Sequence, residues 1–209
     1  MTESSSIVTV NSGQDYLDRP ESVGRALPIV ELRITGSDGS EVRAGTTGEI
    51  EVRGPQIMPG YLGKPEATSE ILSEDGWLRT GDLGYVDEDG YLYVTDRAKD
   101  MIIRGGENVY CVEIENRLVE HPAIAEAAVI GVPHPTLGEE VKAIVVLEGG
   151  SALTVQDVQS WVRQALADFK VPAYVDITRE LLPRNASGKV LKKVLRGEEQ
   201  ASFEEPDDA

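Results

Sequence analysis

Residues 96–107 read Asp96-Arg97-Ala98-Lys99-Asp100-Met101-Ile102-Ile103-Arg104-Gly105-Gly106-Glu107, and the character of the chain changes across them. The charged start has the composition of a hydrated linker. The paired glycines suit a turn whose backbone can lie against a narrow ligand, because no Cβ intervenes. The same residues also suit a hinge. Upstream, residues 1–28 are polar and read as loop-rich. Strands are expected at Ile29–Thr35, Gly48–Arg53, Trp77–Val86 and Gly90–Thr95, separated by turn clusters such as Gly36-Ser37-Asp38-Gly39, with one short helix over 65–73. Downstream, the 3.6-residue spacing of apolar side chains predicts a helix over 112–120, and Thr154 is a good N-cap for a second running to about Asp168. Strands are expected at Ile124–Val132, Glu140–Leu147 and Val175–Thr178, with a final short helix over 190–196. The expected architecture is α+β: a β-rich unit over 1–97, a hinge at 98–100, a small α+β domain over 101–196 and a disordered acidic tail over 197–209.

The chain has 209 residues, enough for one large or two small domains. Its 20 Lys and Arg against 37 Asp and Glu give a net charge of −17, which argues against a nucleic-acid surface or an anionic membrane partner. Six acids fall in the last dozen residues, yet the body stays acidic without them. With 40% apolar and 5% aromatic residues, a core is within reach but must be mostly aliphatic. The single cysteine, Cys111, excludes an internal disulfide framework and a multi-cysteine zinc site, and reads as a small packed residue. No apolar run reaches the roughly 18 residues of a membrane span, and Met1–Val10 lacks the pattern of a signal peptide. A cytoplasmic protein is expected.

Four stretches could carry chemistry. In Thr80-Gly81-Asp82-Leu83, read at a strand end, the carboxylate can accept hydrogen bonds from vicinal hydroxyls such as those of a ribose; from these residues alone, a turn aspartate bonded to its own backbone is the commoner case. The charged and Gly-Gly segment at 96–107 is the second. In Leu182-Pro183-Arg184-Asn185-Ala186-Ser187-Gly188-Lys189, a lysine at the end of a Ser-Gly loop can deliver a cation to a phosphate or carboxylate oxygen, although most surface lysines do not. The loop Gly54–Leu62, with Tyr61 expected to be buried, reads as structural. His121 and His134, each before a proline, read as loop residues. No G-x-x-x-x-G-K-[ST] or G-x-S-x-G motif is present.

The order of these motifs is far more specific than any one of them. Gly48-Glu49-Ile50 with Gly54 and Gly60-Tyr61-Leu62, then Arg79-Thr80-Gly81-Asp82-Leu83, then Asp96-Arg97-x-Lys99-Asp100 with Gly105 and Glu113-Ile114-Glu115, then Leu182-Pro183 with Gly188-Lys189, closely resembles the later core motifs of adenylate-forming enzymes: acyl-CoA synthetases, adenylation domains and luciferases. The resemblance covers all but the tail. Met1-Thr2-Glu3 is similar to the end of that family's Tyr-Gly-x-Thr-Glu motif, with the Tyr-Gly missing. The chain is therefore expected to be the C-terminal portion of such an enzyme, without its Ser/Thr/Gly-rich nucleotide loop and most of its acyl pocket.

The resemblance implies an ATP-dependent acid–thiol ligase that converts a carboxylate and ATP to an acyl-adenylate and passes the acyl group to coenzyme A. ATP/AMP, Mg²⁺ and coenzyme A are the implied cofactors. Asp82 matches the ribose-binding carboxylate, Arg97 a second nucleotide contact, Thr2 a phosphate contact and Glu3 a Mg²⁺-linked carboxylate. Lys99 matches the hinge, Gly105 and Gly106 the turn lining the pantetheine tunnel, and Lys189 the lysine that bridges the substrate carboxylate and α-phosphate. The Asp-Arg-x-Lys-Asp and Ile-Arg-Gly-Gly-Glu-Asn segments look most like acyl- or aryl-CoA ligases, with a fatty-acid type preferred. The chain is expected to be inactive without an N-terminal portion, which a separate polypeptide could supply. Residues 1–97 are expected to expose a face that packs on that portion. The competing reading is a non-catalytic remnant or binding module.

Overall fold

The computed structural model describes residues 1–5 and 7–198. They form two compact units, divided between Lys99 and Asp100, each with mixed sheet and helix, so the fold class is α+β.

The first unit opens with a 3-10 turn, Thr2–Ser4, followed by β1 (Thr9–Val10), α1 (Gln14–Asp18) and β2 (Arg25–Ala26), where β1 and β2 pair antiparallel. Then come β3 (Glu31–Thr35), β4 (Gly48–Arg53), α2 (Pro65–Ile71), β5 (Leu78–Val86) and β6 (Leu92–Arg97). These four strands form one antiparallel sheet in chain order. Alternation sorts its faces: Ile34, Ile50, Val52, Leu78 and Leu92 are buried with Val30 in one core. Charged side chains on the other face pair across strands, Arg33 with Glu51 and Arg79 with Glu49.

The second unit contains β7 (Ile102–Arg104), β8 (Glu107–Val109), α3 (Cys111–Val119), β9 (Ile124–His134), β10 (Gly138–Leu147), α4 (Val155–Arg163), a 3-10 turn at Asp168–Lys170, β11 (Tyr174–Thr178) and α5 (Lys192–Leu195). The β9–β10 hairpin is its spine, with β11 parallel to β10. Its strands are apolar on both faces. On one, Val129, Val141, Ala143 and Val145 pack with Ile114 and Leu118 of α3 and Val158 and Val162 of α4. On the other, Ala128, Ile130, Ile144 and Val146 are covered by Leu182, Val190 and Leu195. Thr154 caps α4: its hydroxyl accepts the Asp157 N–H, and the Asp157 carboxylate accepts the Thr154 N–H.

Several boundaries differ from expectation. The β6 strand continues through Asp96 and Arg97, so those residues are not linker; Asp96 is buried, as is Asp100. The glycines at 105 and 106 join a small hairpin, β7–β8, that the short apolar run did not announce. The second long helix ends at Arg163 rather than near Asp168. Of the expected tail, Gly197 and Glu198 hydrogen-bond back to Val194 and Lys193, and residues 199–209 lie outside the described residues.

Candidate functional site

In the first unit, β5 departs from regular pairing where the chemistry is expected. Glu49 faces Leu83 and Glu51 faces Arg79, so Thr80, Gly81 and Asp82 stand opposite Ile50 alone. This bulge pushes the three residues out of the ladder. Gly81 takes φ +71°, the left-handed region that favours glycine. The Thr80 hydroxyl closes the bulge by donating to the Ile50 carbonyl at 2.8 Å and accepting the Asp82 N–H at 3.1 Å. Asp82 therefore lies within a strand, not at its end.

Asp82 and Arg97 are cross-strand neighbours, and Arg97 Nε donates to Asp82 Oδ1 at 3.1 Å. The other carboxylate oxygen accepts no hydrogen bond among the described residues. About a third of the Asp82 side chain is exposed, so it can take vicinal hydroxyls while Arg97 holds its orientation.

Thr2 and Glu3 sit in the opening 3-10 turn, which is tied down because Met58 donates its N–H to the Glu3 carbonyl at 2.8 Å. The Glu3 carboxylate accepts the Tyr61 hydroxyl at 2.9 Å. Hydrogen bonds from its own backbone N–H and from Tyr61 hold its pKa below the usual value, with the N-terminal amine and the Arg97 guanidinium adding to them. Tyr61 corrects an expectation: it is 38% exposed rather than buried, and it positions a candidate site carboxylate. The Thr2 side chain is exposed. Among the described residues no three His, Cys, Asp or Glu gather as a metal cage. A lone carboxylate suits Mg²⁺ completed by phosphate oxygens and water.

Lys99 is exposed, in a turn over residues 98–100, and the division between the compact units falls immediately after it.

In the second unit, Gly105 and Gly106 form the tip of the β7–β8 hairpin with φ +60° and +90°. The Gly105 N–H donates to the Leu137 carbonyl at 2.8 Å, and a Cβ on Gly105 would meet Leu137 at 3.2 Å. A Cβ on Gly106 would meet nothing within 4 Å, so that side is open to a ligand. Beside that tip, Arg104 ties the hairpin to β10 by donating to Glu140 at 2.6 Å. Lys189 is exposed at the end of a separate hairpin over 184–190 and is followed by α5. Lys192 and Arg196 bind back to Glu115 and Asp100, at 2.8 and 3.2 Å. Burial acts against the Lys192 charge, but its electrostatic interactions with Cys111 and with the Glu115 and Asp100 carboxylates outweigh it and raise its pKa. Cys111 is fully buried, its S–H donating to the Asp100 carbonyl.

Comparison with known proteins gives this arrangement a context. The family model of the AMP-binding enzyme matches residues 1–62, and that of the AMP-binding enzyme C-terminal domain matches residues 113–189. The chain belongs to the AMP-binding, adenylate-forming enzyme family. It is 45% identical over 196 residues to a feruloyl-CoA synthase of Amycolatopsis sp, covering 94% of this chain and 40% of that protein. It is 43% identical to a long-chain-fatty-acid–CoA ligase of Yersinia pestis, covering 95% of this chain and 35% of that one. The o-succinylbenzoate CoA synthetase (MenE) of Bacillus subtilis, solved with the acyl-adenylate intermediate OSB-AMP, superposes with a TM-score of 0.87 at 36% identity, over 97% of this chain and 41% of that chain. ATP-bound MatB of Rhodopseudomonas palustris gives 0.79 at 44% identity, over 85% and 35%. The chain thus spans about two fifths or less of the length of these relatives.

Proposed function

We propose that this chain takes part in ATP-dependent ligation of a carboxylic acid to coenzyme A, supplying the ribose-binding carboxylate, the adenylation lysine and the turn that admits the thiol. The observation carrying this reading is the pairing of Asp82 with Arg97 at an exposed bulge, in a chain whose relatives are named CoA ligases.

Each residue's part follows from its chemistry. Asp82 accepts the ribose hydroxyls with its outward oxygen, and Arg97 fixes that carboxylate while adding positive potential beside the phosphates. Glu3, held anionic and braced by Tyr61, would hold Mg²⁺, which supplies charge neutralisation of the phosphates. Lys189 places its ammonium between the carboxylate nucleophile and the α-phosphate, where negative charge builds in an in-line displacement; such catalysis is mostly positioning and electrostatics. The open face at Gly106 admits the pantetheine arm. Rotation about residues 98–100 would present Lys189 in one half-reaction and the Gly105 turn in the other.

A fatty acid is the proposed acyl class, following the likeness to the long-chain ligase, and the cytoplasm the proposed place of action; no helix among the described residues is long and apolar enough to cross a membrane. Catalysis is proposed to require the portion of the relatives that this chain does not span. Unit one exposes Ile7, Leu17, Ile29 and Leu62, apolar surface for that portion to cover. ATP–pyrophosphate exchange, measured for the chain alone and with an N-terminal portion, tests the proposal across a panel of carboxylic acids. Exchange should require both portions and fall about 100-fold or more in Lys189→Ala. A complex that forms yet never exchanges would establish the binding-module reading instead.

A further inference from the structure

The hairpin that carries Lys189 is built far more tightly than a surface loop of small residues needs to be. Its flanks are anchored in the second core of unit two: Leu182 on one side, Val190 and Leu195 on the other, all against the β9–β10 sheet. Asn185 donates its N–H to the Lys189 carbonyl and accepts the Gly188 N–H on its own carbonyl, closing a turn completed by Gly188 at φ +83°. Asn185 Oδ1 then takes three donors: the Ser187 N–H at 3.1 Å, the Ser187 hydroxyl at 2.8 Å and the Lys189 N–H at 2.9 Å. Arg184 spans the loop from outside. Its Nη1 donates to the Gly188 carbonyl at 2.6 Å and its Nη2 to Glu126 of β9 at 2.7 Å.

We propose that Arg184 and Asn185 are positioning residues that pre-form the loop presenting Lys189, and that Asn185 serves there as a hydrogen-bond acceptor kept free of charge. The inference rests on the reading of Lys189 as the adenylation lysine. Only the carbonyl half of the Asn185 amide is used: its NH₂ donates to nothing among the described residues. An aspartate would receive the same three donors, and more strongly, because hydrogen bonds to a charged acceptor are the stronger kind. Hydrogen bonding alone therefore favours Asp. What Asn supplies is the same shape without adding an anion to the loop whose lysine must meet a carboxylate and a phosphate. Arg184 is equally specific, since two separate nitrogens of one planar fork reach two acceptors, which a lysine cannot do.

The test uses the full chain, with an N-terminal portion added where pyrophosphate exchange is read. In Asn185→Ala and Arg184→Lys, amide hydrogen exchange at residues 187–189 should speed about tenfold or more while β9 and β10 amides keep their protection. In Asn185→Asp the loop amides should stay as slow as in the parent. Modification of Lys189 by the anionic reagent trinitrobenzenesulfonate, followed by mass spectrometry, should nevertheless slow about threefold. Its pyrophosphate exchange should fall about tenfold in kcat/KM. Unchanged loop amides in Asn185→Ala would overturn the positioning role. Parent rates for reagent and exchange in Asn185→Asp would overturn the need for a neutral acceptor. Full exchange in Lys189→Ala would instead overturn the adenylation reading, identifiable because the amide results would persist.

Discussion

Arg97 stands directly across from Asp82 on the neighbouring strand, and its Nε reaches Asp82 Oδ1 at 3.1 Å. One carboxylate oxygen is thereby committed to the protein and the other is left for a ligand. If that ligand is a ribose, Asp82→Asn keeps the shape and loses the charged acceptor. AMP affinity should fall about 10- to 100-fold, in keeping with the strength of hydrogen bonds to a charged group. Calorimetry with AMP and with its 2′,3′-dideoxy analogue checks the cause, because the substitution should cost the analogue almost nothing.

Glu140 gives the second unit a defined response to acid. Its carboxyl is buried, which opposes its charge, but the Arg104 guanidinium and the Val141 N–H outweigh burial and hold its pKa below the usual carboxylate range. A lowered folded-state pKa means stability that is present above the unfolded value, about 4.3, and lost as pH falls through the folded one. Urea unfolding of the parent should therefore weaken below about pH 4.3, and Glu140→Gln should flatten that part of the profile. At neutral pH the same substitution should cost about 1–3 kcal/mol.

The two hairpin glycines should respond differently. Both occupy the left-handed region, so Ala at either should cost about 1–2 kcal/mol. Only at Gly105 does the new methyl also crowd Leu137, making that substitution the more destabilising of the two. Gly106→Ala instead intrudes on the open side, and should slow thioester formation more than it slows pyrophosphate exchange. Thermal melts paired with the two half-reaction assays separate these effects.

Thr154→Ala removes the hydroxyl half of the capping box on α4, in which that oxygen accepts the Asp157 N–H, together with the hydroxyl's own bond to the Asp157 carboxylate, and leaves the backbone half in place. Unit two should lose about 1 kcal/mol while unit one is unaffected. Hydrogen exchange resolved by unit reads the difference, with the amides of β4 and β5 as the internal control.

Elements with a strong period were legible in the residues. Gly48–Arg53 alternates cleanly and is a strand over those residues, and Thr154 caps the helix it was expected to cap. Elements defined by partners distant in sequence were not. Ile102–Arg104 is too short to show a period, and becomes a strand only because Glu107–Val109 folds back on it and Arg104 meets Gly138. Asp96 resembles a solvated linker charge by type, yet extending β6 buries it. At the site, Asp82 and Lys189 stood out by motif. Tyr61 did not, because nothing local shows that its hydroxyl reaches Glu3, 58 positions earlier. Arg184 and Asn185 look like ordinary turn residues until the shared acceptor and the link to Glu126 are seen.

The two-sided sheet of the second unit makes its last segment more than a carrier of one lysine. Ala128, Ile130, Ile144 and Val146 owe their dryness to residues 182–195. A message cut short ahead of Leu182 would yield a product with a greasy flank bared to the cell, inclined to clump and to be cleared by proteases. Truncation there should show up as vanished protein on a blot before it is ever noticed as missing activity.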